Sequence, residues 1–208
     1  MKDNLNLNID GHVKIWDPNT KEVFVNKHNA INPETMSTLI ASAIVSTGNS
    51  YISEMHFGNG GTIIDTNGNI TYKDVVTNVE TLGRSADLFN PTYFKVVDTS
   101  DIVNNIDPDN NYITSSHVEG SRYTDIIVTC TLNQDEPVDQ QLQDSETDFT
   151  GQYVFNELGL KSKNPDGTIG TGSLLTHIVF HPVQKSLNRQ IQIDYTLRIQ
   201  TLTNLSQA

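Results

Sequence analysis

The glycine-rich run from Gly58 to Gly61 is the part of the sequence that comes nearest to a ligand-binding motif. Phosphate-binding loops place such glycines between a strand and a helix, and the nucleotide-binding form ends in Lys followed by Ser or Thr. Here Thr62-Ile63-Ile64 and a second turn signal at Asn67-Gly68 follow, and no Lys-Ser or Lys-Thr pair ends the run. We therefore predict a tight turn or a close backbone approach.

Oxygen ligands for calcium occur at one place. Asp107, Asp109 and Asn111 match the first three ligands of a calcium-binding loop. The sixth position of that motif would be Tyr112 instead of glycine, and the twelfth would be Val118 instead of glutamate. The spacing therefore favours a solvated turn.

His177 and His181 stand four residues apart, the spacing that brings two ligands together on a helix. Their surroundings predict a strand, where four residues span about 13 Å and two side chains cannot share one metal ion. The other histidines are scattered and are interpreted as hydrogen-bonding surface or interface residues: His12, His28, His56 and His117. We expect no metal site.

A nucleophile with a catalytic signature is also missing. Cys130 is the one cysteine, so no internal disulfide can form, and its apolar alternation position predicts a buried thiol. The sequence contains no Gly-x-Ser-x-Gly elbow. Acidic residues are abundant, but abundance without spacing does not indicate a glycosidase pair. We expect a non-enzymatic protein with no catalytic, cofactor-binding or metal-binding residue.

The formal net charge of −12 narrows the range of partners. Because Lys and Arg form no cluster, binding to nucleic-acid phosphates or to an anionic membrane surface is not expected. No basic segment precedes an apolar run, and no segment reaches membrane-spanning length. The expectation is a soluble protein made in the cytoplasm.

The elements that would position these residues are mainly strands. Gln190 to Thr201 alternates strictly between apolar and polar residues, the pattern of a strand with one buried face. Leu174 to His181 alternates similarly, and the link Pro182 to Arg189 is short. We predict that these two segments form an antiparallel pair closing a sheet. Further strands are predicted at Gly11 to Lys27 (a hairpin), Tyr51 to Phe57, Pro91 to Val97, Tyr123 to Leu132 and Tyr153 to Leu160.

One helix is predicted, at about residues 33–46. Asn32 is a good N-cap, Pro33 suits the first helical position, Glu34 suits the helix dipole, and Gly48 follows as a C-terminal stop. The helix should pack an apolar stripe on one face of the sheet. The stripe consists of Met36, Leu39, Ile40, Ala43 and Ile44.

These elements predict a mainly β fold, an antiparallel β-sandwich or barrel-like domain with one N-terminal amphipathic helix. We assign residues 1–10 to an N-terminal arm and residues 11–208 to a single β-rich domain, in which residues 62–111 are candidates for an insertion or subdomain. Met1 to Ile9 and the acidic loop Asn133 to Thr150 are either contact segments ordered on assembly or merely mobile.

Two stretches of the sequence identify a protein family more specifically than the composition does. The first is GHVKIWDPNTKEVFVNKHNAI (Gly11 to Ile31) with MHFGNGG (Met55 to Gly61); the second is YVFNELGL (Tyr153 to Leu160) with Leu174 to Ile199. Together they resemble virion structural proteins of tailed bacteriophages, notably contractile-tailed phages of marine cyanobacteria. The resemblance implies a particle component in several symmetric copies, with other virion proteins as partners and the virion as its location.

Three functions are therefore carried forward. The first is a virion structural protein of the neck or tail (collar, connector or baseplate), or a capsid decoration (cement) protein. The second is a receptor- or carbohydrate-binding module associated with a tail fibre, for which the aromatic candidates are Trp16, Tyr51, Tyr93 and Tyr123. A polysaccharide depolymerase is disfavoured because no β-helix repeat is present.

Overall fold

The computed structural model describes residues 5–46, 51–76, 83, 85–137 and 152–203. In this part of the chain one helix accompanies twelve strands that form two five-stranded sheets and one hairpin. The elements are β1 (Leu5–Trp16), β2 (Val23–His28), β3 (Ala30–Ile31), α1 (Pro33–Val45), β4 (Ile52–Gly58), β5 (Thr62–Ile64), β6 (Ile70–Tyr72), β7 (Pro91–Val96), β8 (Tyr112–His117), β9 (Tyr123–Leu132), β10 (Gln152–Ser162), β11 (Thr176–Ser186) and β12 (Ile191–Thr203).

The first sheet has the strand order β2-β1-β12-β9-β8, and all its pairs are antiparallel. The alternating strand β12 lies at its centre, with Ile193 opposite Ile15 of β1 and opposite Cys130 of β9. The predicted apolar face is confirmed, because its side chains between positions 191 and 197 are at most 1% exposed.

The second sheet has the order β3-β11-β10-β4-β7, while β5 and β6 pair only with each other. One cluster of buried side chains joins both sheets, with Phe57, Phe155 and Phe180 facing Ile193 and Tyr195. The fold is therefore mainly β and antiparallel, with one helix between its strands. Both sheets stay open at their edges among the described residues, which makes the fold a sandwich and not a closed barrel.

The predicted pairing of the two C-terminal strands is wrong. β11 belongs to the second sheet and pairs with β10, whereas β12 belongs to the first sheet. Pro182 lies inside β11, between the pairs Phe155–Val183 and Glu157–Val179, where the register shifts. A proline fits there because the interrupted ladder needs no backbone donor. Alternation defines a strand's buried face but not its neighbour.

The helix begins as predicted, and Asn32 Oδ1 accepts a hydrogen bond from the Thr35 backbone N–H at 3.2 Å. The amphipathic stripe is not confirmed, since Met36 is buried but Ile44 is 78% exposed. α1 borders one groove together with β4 of the second sheet and with β8 and β9 of the first, and Met36, Leu39 and Ile40 pack in or against the core cluster. Ser46 caps the helix in the left-handed conformation, and the predicted stop at 48 lies outside the described residues.

The N-terminal arm also needs correction. Residues 5–10 form the first half of β1, and the pairs from Leu5–Thr203 to Asp10–Arg198 join them to the central strand β12. Within residues 62–111, β7 pairs with β4 and so belongs to the second sheet, whereas β5 and β6 form a separate hairpin. That segment is therefore not one separate unit.

Candidate functional site: a buried ionic layer and an apolar surface

The glycine run connects β4 to β5, so no helix N-terminus follows it. A Cβ added at Gly60 would lie 2.7 Å from the Asn90 backbone nitrogen, and one added at Gly61 would lie 2.9 Å from the Val179 side chain. The predicted close backbone approach is thus confirmed. The neighbour that organises this approach is Glu157 of β10, whose Oε1 accepts hydrogen bonds from the backbone N–H groups of Gly60 and Asn90.

Glu157 is fully buried yet well satisfied. Its second oxygen, Oε2, accepts hydrogen bonds from the Phe89 backbone N–H at 2.9 Å and from His177 Nε2 at 2.8 Å. Burial alone would raise the pKa of this carboxyl, but the hydrogen bonds from His177, Phe89 and Asn90 outweigh burial and hold the pKa below its ordinary value. Glu157 is therefore an ionised anchor for two backbone segments.

A second carboxylate–histidine pair lies on the same face of the same sheet. His56 Nε2 is 2.8 Å from Glu54 Oε2, and Glu54 Oε1 accepts a hydrogen bond from the Gly170 backbone N–H. The His56 ring stacks on Phe94, with centroids 5.1 Å apart. Burial lowers the pKa of His56 more than the hydrogen bond to Glu54 raises it, and the positive charge of Lys161 lowers it further. His56 is therefore neutral at pH 7.

A lysine lies on the same face, with Lys161 of β10 opposite Glu54 of β4. Lys161 Nζ is 2.8 Å from Asp87 Oδ1, and the lysine side chain is only 5% exposed. His56 and Lys161 border a cleft of about 330 Å³. Five titratable residues of this outer face, together with Asp87 of the segment before β7, form what we call the ionic layer: Glu54, His56, Glu157, Lys161, His177 and Asp87.

His177 borders another cleft, of about 370 Å³, together with Lys27, Tyr72 and Lys73. Its Nδ1 atom is buried and has no hydrogen-bond partner among the residues that the structure describes. The other ring nitrogen, Nε2, is the atom that bonds Glu157, so one hydrogen bond fixes the imidazole among the described residues.

The ionic layer contains two carboxylate–histidine pairs, an arrangement in which a carboxylate fixes the orientation of an imidazole. In the described part of the chain, no hydroxyl or thiol is hydrogen-bonded to His56 or His177. Cys130 is fully buried inside the sandwich, and burial raises the pKa of its thiol to about 12. Among all the residues that the structure describes, no group of three or more His, Cys, Asp or Glu side chains is placed to hold a metal ion.

The calcium-like sequence forms a hydrogen-bonded turn. Both carboxylate oxygens of Asp107 accept from Asn110 Nδ2, and one also accepts from Asn133 Nδ2 at 3.0 Å. Asn111 is 1% exposed, and its Oδ1 accepts from the Thr131 backbone N–H. The turn predicted there is confirmed.

The four aromatic candidates for sugar binding do not meet. Trp16 lies opposite Gln192 of β12, and Tyr123 lies opposite Gln200, so eight residues, or about 27 Å of strand, separate them. Tyr93 contacts core aromatics instead, with its ring 5.9 Å from that of Phe57. Tyr51, the fourth candidate, borders the groove described next.

An apolar groove of about 450 Å³ lies between α1 and the edge of the first sheet. Its walls come from α1, β4, β8 and β9 and from the start of the loop that follows β7. They include Leu39, Ala43, Tyr51, Ile52, Asp98, Thr99, Ile113, Thr114, Ser115 and Ile126. β8 is the edge strand of its sheet, so one side of this strand has no partner strand among the described residues.

The same loop carries exposed apolar side chains. Ile102, Val103 and Ile106 are 86%, 79% and 82% exposed, and Ile44 and Val45 at the end of α1 are 78% and 64% exposed. We call residues 101–106 the apolar loop. Exposed apolar side chains gathered on one part of a surface are typical of protein–protein contact sites.

The segments predicted to make contacts are only partly described. Residues 133–137 follow β9 in a turn, in which Glu136 Oε2 accepts from the Asn133 backbone N–H and lies 2.6 Å from Lys95 Nζ. Residues 138–150 lie outside the described residues. The apolar loop was not among these predicted segments, although its three exposed apolar residues are visible in the sequence.

None of the helical segments described here combines the length and the hydropathy needed to cross a lipid bilayer. Comparison with protein-family models, with curated proteins and with solved structures found no match.

Proposed function

We propose that this chain is a non-enzymatic structural subunit of a tailed-phage virion, in the neck or tail (collar, connector or baseplate), where it assembles in several symmetric copies. The sequence resemblance to virion structural proteins supports the proposal that the chain is part of a virus particle. The open sandwich supports the role, because a rigid two-sheet body with exposed loops suits a repeated subunit. Its partners are other virion proteins and further copies of itself.

The observation that carries the proposal is the apolar surface formed by the groove, the end of α1 and the apolar loop. Five aliphatic side chains of this surface are at least 64% exposed in a protein whose charged content is otherwise moderate. The ionic layer supports the same conclusion, because its carboxylates are engaged in holding backbone segments. The alternative position in the particle is the capsid surface, where the chain would be a decoration (cement) protein.

A second function, a receptor- or carbohydrate-binding module, is supported by the cleft beside His56. Tyr93 and Phe94 line this cleft with Lys161 and Asp87, a combination of aromatic and hydrogen-bonding groups that suits a small polar ligand. Binding of the isolated full chain to a glycan array would favour this function, and no binding across a broad array would remove it.

The deciding experiment is cryo-electron microscopy of the purified virus, with this chain traced in the map. A ring of copies in the neck or tail is the expected result. Copies on the capsid lattice would make the chain a decoration protein. Absence from the particle would overturn the structural proposal.

A further inference from the structure

We propose that His12 and His28 form a binding site for a divalent transition-metal ion on the outer face of the first sheet. The two histidines lie on neighbouring strands, so no spacing within one element could indicate the pair. The site goes beyond the proposed virion function and does not depend on it. Three observations carry it: the register of β1 and β2, the separation of the two imidazole rings, and the carboxylate that contacts His28.

The strand register places the two histidines directly opposite each other, with His12 of β1 paired to His28 of β2. One residue further along, the Asn29 backbone N–H donates to the Gly11 carbonyl oxygen at 3.1 Å. Hydrogen-bonded and non-hydrogen-bonded pairs alternate in an antiparallel ladder, so the histidines form a non-hydrogen-bonded pair, whose Cα atoms are only about 4.5 Å apart. Val13, next to His12, is fully buried, so the histidine pair points to the opposite, outer face.

The two imidazole rings already have the separation of two ligands of one metal ion. Their centroids are 5.3 Å apart. An imidazole nitrogen binds zinc at about 2.0–2.1 Å, which puts each ring centroid roughly 3.2 Å from the ion, and a tetrahedral angle then separates the two centroids by about 5.2 Å. An ion can therefore bind both rings with a rotation of the side chains and no shift of the strands.

Asp10 supplies a contact that metal-binding histidines usually have. His28 Nδ1 lies 3.1 Å from Asp10 Oδ1. Because a carboxylate accepts hydrogen bonds, Nδ1 is the donor of this pair and Nε2 is the nitrogen left for the ion. Such a contact orients the ligand ring and raises its basicity. His12 and His28 are therefore the ligands, and Asp10 is a positioning residue.

The surroundings of the pair admit a cation. The side chains of His28 and Asp10 are 70% and 54% exposed, so an ion reaches them directly from solvent. Arg198 of β12 lies opposite Asp10, but its guanidinium donates two hydrogen bonds to Asp125, which compensates its charge. The net charge of −12 on the whole chain attracts cations.

The imidazole ligands select the kind of ion. Imidazole suits Zn²⁺, Ni²⁺ and Cu²⁺, whereas Ca²⁺ and Mg²⁺ prefer oxygen ligands. Among the described residues, no group of three His, Cys, Asp or Glu side chains is placed to hold an ion, so water completes the coordination. The site is therefore an open one that exchanges its ion with solvent, unlike a closed four-ligand structural zinc site.

The first test is isothermal titration calorimetry of the purified full chain, without a histidine tag, with Ni²⁺ and with Zn²⁺. We expect one ion per chain. His12→Gln or His28→Gln should weaken binding by about 100-fold or more, because the remaining ligand loses a partner that strand pairing holds at high effective concentration. His117→Gln is the matched control: His117 is an exposed residue of the edge strand β8 in the same sheet, and its substitution should leave binding unchanged.

The second test examines the positioning role of Asp10. Asp10→Asn should lower the metal affinity by about 10–100-fold and keep one ion per chain, because His28 loses its carboxylate contact but keeps Nε2. Electron paramagnetic resonance of bound Cu²⁺ should show two imidazole nitrogens in the natural chain and in Asp10→Asn, and one in His12→Gln. Loss of a nitrogen ligand in Asp10→Asn would contradict a purely positioning role.

Unfolding curves recorded without metal ions check that every variant folds. Absence of saturable binding by the natural chain would overturn the proposal. Equal weakening by His117→Gln and His28→Gln would also overturn it, since that result would indicate adventitious binding to scattered surface histidines. All these measurements use the isolated chain, so their outcome is separable from whether the chain is found in a virus particle.

Discussion

Glu157 shows how a single residue links distant parts of this chain. Its carboxylate accepts hydrogen bonds from three backbone N–H groups that precede it in the sequence by 67 to 97 residues. It also accepts one from the imidazole of His177, which follows it by 20 residues. A buried charge is tolerated only when its hydrogen bonds replace those that water would supply. The glycines of the 58–61 run make these hydrogen bonds possible, because side chains at those positions would hold the backbone N–H donors away from the Glu157 carboxylate.

Replacing Glu157 with glutamine should lower the free energy of unfolding by about 3 kcal/mol, because an amide nitrogen would face donors and the charge would be lost. Denaturation by urea measures this change. Glu119→Gln, at an exposed position, is the control and should have little effect. Equal stability of the Glu157 variant and the natural chain would show that the carboxylate is not the anchor described above.

Lys185 gives a prediction about pH. It is fully buried, its Nζ donates to the backbone oxygens of Gln134 and Ser186, and burial lowers its pKa from 10.5 to about 8. Between pH 8 and 10.5 the unfolded chain therefore binds a proton that the folded chain does not, so this residue makes stability rise with pH in that window. Lys185→Met should lose this rise, while the exposed Lys21→Met should keep it. Parallel stability profiles for the natural chain and Lys185→Met would contradict the assignment.

At the scale of elements, several predictions from local sequence are confirmed. The hairpin around Asp17 forms, with Asp17 Oδ1 accepting from the backbone of Asn19 and Thr20. The turn signalled by Asn67-Gly68 forms as well, with Gly68 at φ 84° and its backbone N–H donating to the Asp65 carbonyl oxygen at 3.0 Å. Strands with long apolar alternation, such as β9 and β12, also form where expected. β8 was missed because Thr, Ser and His fill an edge strand whose outer residues stay exposed.

The first half of β1 was misinterpreted as an arm because its residues are mostly polar. Leu7 is 48% exposed, whereas Ile9 packs against the core and faces Ile199 of β12. Ile9→Asn should therefore cost about 1–2 kcal/mol of unfolding free energy, and Leu7→Asn clearly less. Thermal or urea unfolding measures both. If neither substitution changed stability, an unattached arm would be the better description.

The ionic layer could not be found from the sequence for a similar reason. Glu54 and His56 alternate with Met55 and Phe57, so local pattern assigns the charged pair to a solvent-exposed face. In the structure that face is covered, because Leu88 of the segment before β7 packs with Leu174. A cover formed by a distant segment with weak signals of its own leaves no trace in the periodicity of β4.

At the scale of the whole molecule, charge and apolar surface act in opposite directions. A net charge of −12 makes two copies repel each other, whereas the groove and the apolar loop favour association. Added salt screens the repulsion and leaves the apolar contact in place. Self-association should therefore strengthen as ionic strength rises from about 0.05 M to 0.5 M, where the Debye length falls from roughly 14 Å to 4 Å. Sedimentation equilibrium measures the dissociation constant, and weakening with salt would indicate an interface built on ion pairs instead.

The sequence by itself determined the local features: which side of β12 is buried, where α1 begins, the turns at Asp17 and Gly68, and the buried state of Cys130. Each follows from residues within a few positions of one another, since strand alternation, helix capping and turn chemistry act over short distances. Only the tertiary structure decided that β11 and β12 lie in different sheets, that charged residues of β4 and β10 are covered, and that the apolar loop faces solvent. Those outcomes depend on contacts between segments far apart in the chain, and local periodicity carries no record of which distant segment becomes the neighbour.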